Sequence, residues 1–221
     1  MTATDFASHR SDWVEPIATT YRGYQVVEMP PNTQGFAVLQ MLNLLEGYDL
    51  QAIGHHTADY YHLMVEVTKL AFADRDRWLS DPDFITIPIQ ELIGKPYADR
   101  RRPLINMAQA QPYGPGIGHG DTTFCAVVDD QGNAVATIQS LYFDYGSGVV
   151  GGETGIMLQN RGSFFSLDPA TANCLAPGKR PFHTLIPALA LNPTGDLEWV
   201  LGTMGGEGQP QTRLGRLMRH N

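Results

Sequence analysis

The sequence predicts a layered α+β fold. Two segments with helical spacing of apolar residues lie within the first 80 positions, and two hairpin patterns of alternating apolar residues lie in the second half of the chain. Helices followed by strands favour an α+β arrangement over the strict strand–helix alternation of a parallel α/β sheet. No internal repeat is visible.

The composition narrows the class of protein. The 221 residues include 15 basic and 23 acidic side chains, which gives a net charge of −8, and 43% of residues are apolar while 17% are charged. This mixture excludes a disordered chain, and the lack of a basic excess argues against a nucleic-acid partner. No apolar run approaches the roughly 18 residues that a membrane span needs. The first residues show no signal peptide, so the compartment stays open and any export signal is expected upstream.

Two helices are predicted, over 33–47 and 58–79. The apolar positions with helical spacing are Ala37, Met41, Leu44 and Leu45 in the first, and Leu63, Val67, Leu70 and Ala71 in the second. Gly47 lies where a glycine commonly follows a helix, and Thr57 can cap the second helix. We interpret both apolar stripes as core packing.

An irregular segment separates the helices from the strands. Positions 100–121 contain three prolines and four glycines, which oppose regular structure. Such a long structureless segment within a domain is usually functional or disordered. Alternation then predicts one hairpin from 123–128 and 134–142, and a second from 186–191 and 198–201.

Two patterns resemble binding motifs without their context. Positions 146–151 spell G-x-G-x-x-G, but the residues that follow, 152–155, continue a loop where a dinucleotide site needs a helix. His55, His56 and His62 lack the spacing of a zinc site. We therefore predict no metal and no organic cofactor.

One threonine lies where the irregular segment meets the first strand. In Asp121-Thr122-Thr123, a chain cut before Thr122 would give its hydroxyl an adjacent α-amine with an unperturbed pKa near 8. That amine can accept the hydroxyl proton at neutral pH. On the residues alone, an ordinary threonine that begins a strand is the simpler interpretation.

Short motifs along nearly the whole chain, in order, resemble the gamma-glutamyltranspeptidase family. They are Y-R-G-Y at 21–24, M-P-P at 29–31, L-A-F-A-D-R at 70–75, D-P at 81–82, D-T-T at 121–123, V-V-D at 127–129, G-N-A-V at 132–135, G-S-G at 146–148, L-Q-N at 158–160, P-G-K-R-P at 177–181 and G-G at 205–206. The resemblance implies a four-layer αββα N-terminal-nucleophile hydrolase, made as a precursor that cleaves itself.

The resemblance also implies a set of catalytic residues. Thr122 would be the nucleophile, freed when the Asp121–Thr122 bond breaks, and Ser140 takes the place of the family's second threonine, which holds the nucleophile's hydroxyl. Gly205 and Gly206 would supply backbone N–H groups to the oxyanion.

The substrate positions depart from the family pattern. Transpeptidases hold the α-amino group of the gamma-glutamyl unit through an Asn, a Gln and an Asp, where this chain has Tyr142, Arg161 and Phe164. His183-Thr184 replaces the family's serine pair at the substrate carboxylate. The pattern resembles the branch with cephalosporin-type acylases, in which Arg161 could hold a carboxylate. A structural arginine paired with an acid is the alternative.

The resemblance divides the chain into two subunit segments of one intertwined domain. Residues 1–121 match the C-terminal part of a large subunit that ends in a flexible processing loop. Residues 122–221 match the N-terminal part of a small subunit, and the last of them, 214–221, are expected to lie partway into a helix. The fold is thus expected to be incomplete at both ends.

Three functions follow from this interpretation. The first is a gamma-glutamyltransferase of the glutathione hydrolase type, which passes an acyl group from a small-molecule amide to water or an amine. The second is a cephalosporin- or glutaryl-type acylase with the same mechanism. The third is an uncleaved, inactive segment.

Overall fold

The computed structural model of the protein describes residues 1–112 and 121–218, apart from the side chain of Asp121. These residues form seven α-helices and six β-strands. The helices are α1 (Ala3–Ser8), α2 (Gly35–Leu45), α3 (Leu50–Ile53), α4 (Ala58–Trp78), α5 (Ile89–Leu92), α6 (Lys95–Arg101) and α7 (Gln209–Leu217). The strands are β1 (Ile17–Tyr21), β2 (Tyr24–Glu28), β3 (Asp121–Val128), β4 (Ala134–Tyr142), β5 (Ala188–Leu191) and β6 (Leu197–Leu201). The α+β prediction is confirmed.

Strands from both halves of the chain share one antiparallel sheet, in the order β1-β2-β5-β6. The central contact joins β2 to β5, with Val26 opposite Ala190, and both side chains are fully buried. Residues on either side of position 121 are therefore held together by main-chain hydrogen bonds and by a common core.

Helix α2 forms the centre of the core, where all eleven of its residues are buried. A helix that is apolar on nearly every side must be covered all round, and α2 contacts α4, α6, α7 and β1. Its buried Asn43 is satisfied on both sides: its amide donates to the Ile93 carbonyl at 2.7 Å, and its carbonyl accepts from the Thr19 hydroxyl at 2.8 Å.

Both predicted helices are confirmed, but the role of Gly47 differs from the one expected. The Thr57 hydroxyl caps α4 by accepting from the Tyr60 N–H at 3.1 Å. Gly47 does follow α2, but it is required for space, since a Cβ there would overlap the Arg102 side chain. The Arg102 guanidinium donates to the carbonyls of Asn43 and Leu44 at 2.9 and 3.0 Å, so it satisfies the end of α2.

The two predicted hairpins are confirmed as β3–β4 and β5–β6. The β3–β4 pair is largely exposed: 62% of Val127 and 63% of Val135 is accessible. It reaches the larger sheet through contacts between β4 and β6, and Phe124 lies against the backbone of Gly202.

Two stretches differ from the prediction. The β1–β2 hairpin was not predicted, and its turn places Arg22 at a φ of 49°. Positions 100–104, predicted as irregular, finish α6 and form a short 3-10 helix, Arg102–Leu104. The core of the predicted processing loop, 113–120, lies outside the described residues.

No helix within residues 1–112 and 121–218 combines the length and the apolarity needed to cross a membrane.

Candidate active site

Thr122 lies at an irregularity in the β3–β4 ladder. Asp121 is opposite Tyr142, and Thr123 is opposite Gln139. One residue of β3 therefore faces two residues of β4, Ser140 and Leu141. Such bulges re-aim side chains and are over-represented beside active sites.

The two hydroxyl residues singled out in the sequence share one cavity of about 400 Å³. Its walls are formed by Thr122, Thr123, Gln139, Ser140, Leu141, Phe143, Asp144 and Tyr145. Only 4% of Thr122 is exposed, and the Ser140 hydroxyl accepts a hydrogen bond from the Tyr142 N–H at 2.8 Å. Neither Gly205 nor Gly206 lines this cavity.

Tyr142 marks the end of β4 with a φ of 85°, which is uncommon for a residue with a bulky side chain. Its side chain is buried, with the ring centroid 4.2 Å from that of Phe143 and 4.6 Å from that of Phe164. This packing holds the unfavourable backbone conformation in place, and Tyr142 is not among the residues that line the cavity.

The substrate residues expected from the resemblance form a second cluster, around Arg161. The Arg161 side chain is buried, its guanidinium carbon lies 5.1 Å from the Tyr142 ring centroid, and its Nη1 donates to the Thr184 hydroxyl at 2.6 Å. The Phe164 ring packs against the Tyr142 ring and so belongs to the same cluster. The structure therefore brings Tyr142, Arg161, Phe164 and Thr184 together, though none of them lines the cavity of Thr122.

The guanidinium of Arg161 is only partly satisfied by the described residues. Within residues 1–112 and 121–218 it forms no ion pair, and its Nε and Nη2 make no hydrogen bond. Burial lowers the pKa of Arg161 to about 10. Because a buried charge is costly without a partner, the alternative of a structural arginine paired with a nearby acid finds no support in these residues.

His183 lies next to the same cluster as a neutral acceptor. Burial, together with the positive charge of Arg161, lowers the pKa of His183 to about 4. Its Nδ1 accepts from the Leu185 N–H at 3.2 Å, which the neutral ring alone can do. His183 therefore fixes the local backbone and carries no charge near neutral pH.

Gly205 and Gly206 adopt the left-handed region, with φ values of 120° and 53°. A Cβ on Gly205 would meet no atom within 4 Å, so the requirement at that position is conformational. The turn leads through a 3-10 helix, Gly206–Gly208, directly into α7.

Two residues that the sequence did not single out as site residues contact this turn. The Gln34 amide donates to the Gly206 carbonyl at 3.1 Å, and Arg75 contacts the Glu207 carboxylate at 2.9 Å. Arg75 belongs to the L-A-F-A-D-R motif, whereas Gln34 offered no signal beyond its place at the start of the predicted helix 33–47. Within residues 1–112 and 121–218, no group of three His, Cys, Asp or Glu side chains could hold a metal ion.

Several known proteins are similar to this chain in both fold and sequence. The structure of cephalosporin acylase from Bacillus halodurans matches with a TM-score of 0.87 and 40% identity, over 99% of this chain and 40% of that chain. The glutathione hydrolase-like YwrD proenzyme of Bacillus subtilis (strain 168) is 48% identical over 99% of this chain and 41% of its own length. The oxamate amidohydrolase proenzyme of Klebsiella pneumoniae is 41% identical over 100% of this chain and 41% of its own length.

The family model described as Gamma-glutamyltranspeptidase matches residues 1–221. The chain belongs to the gamma-glutamyltranspeptidase family, and the resemblance seen in its motifs is confirmed. It spans about two fifths of the length of the curated relatives named above.

Proposed function

We propose that the protein is a self-processing amide hydrolase and acyltransferase of the gamma-glutamyltransferase, or glutathione hydrolase, type, with Thr122 as its nucleophile. The observation that carries the proposal is the position of Thr122, which lies at a ladder irregularity and shares a cavity of about 400 Å³ with Ser140. Curated relatives that are themselves named proenzymes support a precursor.

The proposed self-cleavage needs no group beyond the chain and water. The Thr122 hydroxyl attacks the Asp121 carbonyl, and the peptide C–N bond breaks, which frees the Thr122 amine and leaves an ester between the Asp121 carbonyl carbon and the Thr122 oxygen. Water then hydrolyses this ester, which frees the main-chain carboxylate of Asp121 and restores the Thr122 hydroxyl. That amine then accepts the hydroxyl proton while the oxygen attacks the substrate amide. The departing amine leaves an acyl-enzyme, and water or a second amine takes up the acyl group.

Ser140 would orient the Thr122 hydroxyl, and the N–H groups of Gly205 and Gly206 would stabilise the oxyanion. Loss of one such donor typically costs about 3–4 kcal/mol in kcat. This role requires the Gly205–Gly206 turn to approach the cavity of Thr122 in the mature enzyme.

We further propose that residues 1–121 belong to the large subunit and residues 122–221 to the small subunit of one four-layer αββα domain. The pairing of β2 with β5 supports this assignment, because it would keep the two products together after cleavage. The structural match to an acylase at a TM-score of 0.87 supports the layer arrangement.

Mass spectrometry of the full-length protein tests the proposal. We expect two polypeptides whose masses sum to that of the chain plus one water, and N-terminal sequencing of the smaller one should begin with Thr122. In an uncut chain, the Thr122 nitrogen is an amide and cannot act as a base, so unprocessed protein should be inactive. A single unbroken chain with full amidase activity would overturn the proposal.

A second candidate, a glutaryl- or cephalosporin-type acylase, is favoured by the Arg161 cluster. Aromatic rings at positions 142 and 164 offer an ammonium group no carboxylate, and loss of a charge-assisted hydrogen bond costs about 1.5–3 kcal/mol. Arg161, with Nε and Nη2 unsatisfied by the described residues, is suited to a carboxylate.

Two anilides separate the candidates. Glutaryl anilide and gamma-glutamyl anilide differ by the α-amino group, so an acylase should favour the glutaryl compound by about 10-fold or more in kcat/KM. Arg161→Met should lower kcat/KM for both compounds, because both carry the carboxylate that Arg161 would hold. A strong preference for the gamma-glutamyl compound would contradict the acylase candidate and leave the transferase proposal intact.

A further inference from the structure

We propose that Gln34 and Arg75 are positioning residues that hold the Gly205–Gly206 turn in its left-handed backbone conformation, so that the segment before position 121 contributes to oxyanion stabilisation. The inference rests on the proposed function, because it concerns the turn to which that function assigns the oxyanion donors. Neither residue needs to contact the substrate.

Gln34 connects two loops of the downstream half through one side chain. Its Nε2 donates to the Gly206 carbonyl and to the Thr184 carbonyl, each at 3.1 Å. Its backbone N–H donates to the His183 carbonyl at 3.1 Å. Gln34 is fully buried, so the Gly206 turn and the 183–184 segment are held at a fixed separation.

Arg75 fixes the orientation of the Gln34 amide. Its Nη1 donates to the Gln34 Oε1 at 3.1 Å, which leaves Nε2 as the atom that faces the two carbonyls. Its Nη2 lies 2.9 Å from the Glu207 carboxylate, one residue after Gly206. Arg75 therefore contacts the turn twice, once through Gln34 and once directly.

The Arg75 guanidinium is itself held in one place. Its carbon lies 3.8 Å from the Phe72 ring centroid and 5.2 Å from that of Phe182. Its Nε donates to the Asp76 carboxylate at 2.8 Å. A planar guanidinium can bind three groups in fixed directions, whereas an ammonium cannot reproduce that fork.

Such support matters because oxyanion stabilisation depends on preorganised donors. The donors must lie close to the position that the oxyanion takes in the transition state, and a displacement of about 1 Å can lower the rate about 100-fold. Gly205 and Gly206 lack side chains that could anchor the turn. Their neighbours Gln34, Arg75 and Glu207 supply the anchoring contacts.

The test compares Gln34→Met with Gln40→Met in the full-length protein, with anilide turnover and thermal unfolding as readouts. Gln40 is a matched control, since it is a buried glutamine of α2 whose Nε2 donates to the Asp74 carboxylate at 3.0 Å and not to the turn, whereas Gln34 is the buried residue that precedes α2. We expect both variants to lower Tm. Gln34→Met should lower kcat about 10- to 100-fold and change KM less than about threefold, whereas Gln40→Met should keep kcat within about threefold.

Two further variants keep the inference open to refutation. Arg75→Lys should lower kcat in the same direction, and Gln34→Asn, which retains both amide atoms, replaces Gln34→Met should that variant fail to accumulate. An unchanged kcat in the Gln34 variant, or an equal loss of kcat in Gln40→Met, would overturn the inference. Failure of the proposed function can be distinguished from failure of this inference. If the proposed function is wrong, Thr122→Ala retains activity regardless of the activity of the Gln34 variants.

Discussion

Replacement of Thr122 by alanine in the full-length protein is expected to leave the chain uncut and to abolish amide turnover. The alanine lacks the oxygen that attacks both the Asp121 carbonyl and the substrate carbonyl, so processing and catalysis should fail together. Loss of a nucleophile lowers kcat on the order of 10⁴-fold or more in enzymes with covalent mechanisms. Intact mass and anilide hydrolysis measure the two losses separately.

The neighbouring threonine provides the matched control for this variant. Thr123 carries the same side chain one position later, where it is exposed, so Thr123→Ala should still be processed into two polypeptides. Thr122→Ser keeps the hydroxyl and should also be cut. Cleavage of Thr122→Ala at the same bond would refute the assignment of Thr122, and an uncut Thr123→Ala would point to a general defect of folding at the start of β3.

Much of the fold could be predicted because its signals are local. Helix α4 and the β3–β4 hairpin show their periodicity over neighbouring residues, and Thr57 marks the helix start directly. The β1–β2 hairpin was not predicted because Arg22 in its turn adopts the left-handed conformation without a sequence signal for it. The 3-10 helix that follows α6 was not predicted because Pro103 usually breaks a helix, although proline is well tolerated at the first positions of a helical turn.

The candidate site could be predicted only where it depends on residue type. Thr122 and Ser140 followed from the family resemblance, and strand pairing brings them to one cavity. The contacts of Gln34 could not be foreseen, because 172 positions separate it from Gly206. The burial of Arg161 without a described acidic partner also depends on packing among distant segments, which no local pattern encodes.

The largest stability effect is expected at a buried ion pair that joins the two halves of the chain. Arg213 of α7 donates through Nη1 to the Glu28 carboxylate of β2 and through Nη2 to the Ile186 carbonyl. Both side chains are almost fully buried. This pair anchors α7, the helix that directly follows the Gly205–Gly206 turn.

Arg213→Met should destabilise the protein by about 3–5 kcal/mol, because it leaves the Glu28 carboxylate buried without its partner. Urea unfolding in the uncut Thr122→Ala background measures this change on a single polypeptide. Arg100→Met is the control: Arg100 pairs with Glu91 at 3.0 Å, and about three fifths of each side chain is exposed. Its loss should cost less than about 1 kcal/mol.

The double variant Glu28→Met/Arg213→Met distinguishes the cost of an orphaned charge from a loss of packing. Glu28 Oε2 and Arg213 Nε make no hydrogen bond among the described residues, so the pair is only partly compensated. Replacement of both by apolar side chains of similar length should therefore be less destabilising than Arg213→Met alone. A double variant as unstable as the sum of the two single variants would show that the pair stabilises the fold through its charges.

The effect of Arg213→Met should also depend on pH in a defined direction. Burial raises the pKa of Glu28 to about 7 despite the opposing charge of Arg213. A carboxyl whose pKa is higher in the folded state binds more protons there, so its contribution to stability is present at low pH and is lost as pH rises through the folded pKa. Removal of Arg213 raises that pKa further, so the destabilisation should be larger at pH 8 than at pH 5. An equal loss at both values would contradict this expectation, because it would show that removal of Arg213 does not change the titration of Glu28 between pH 5 and pH 8.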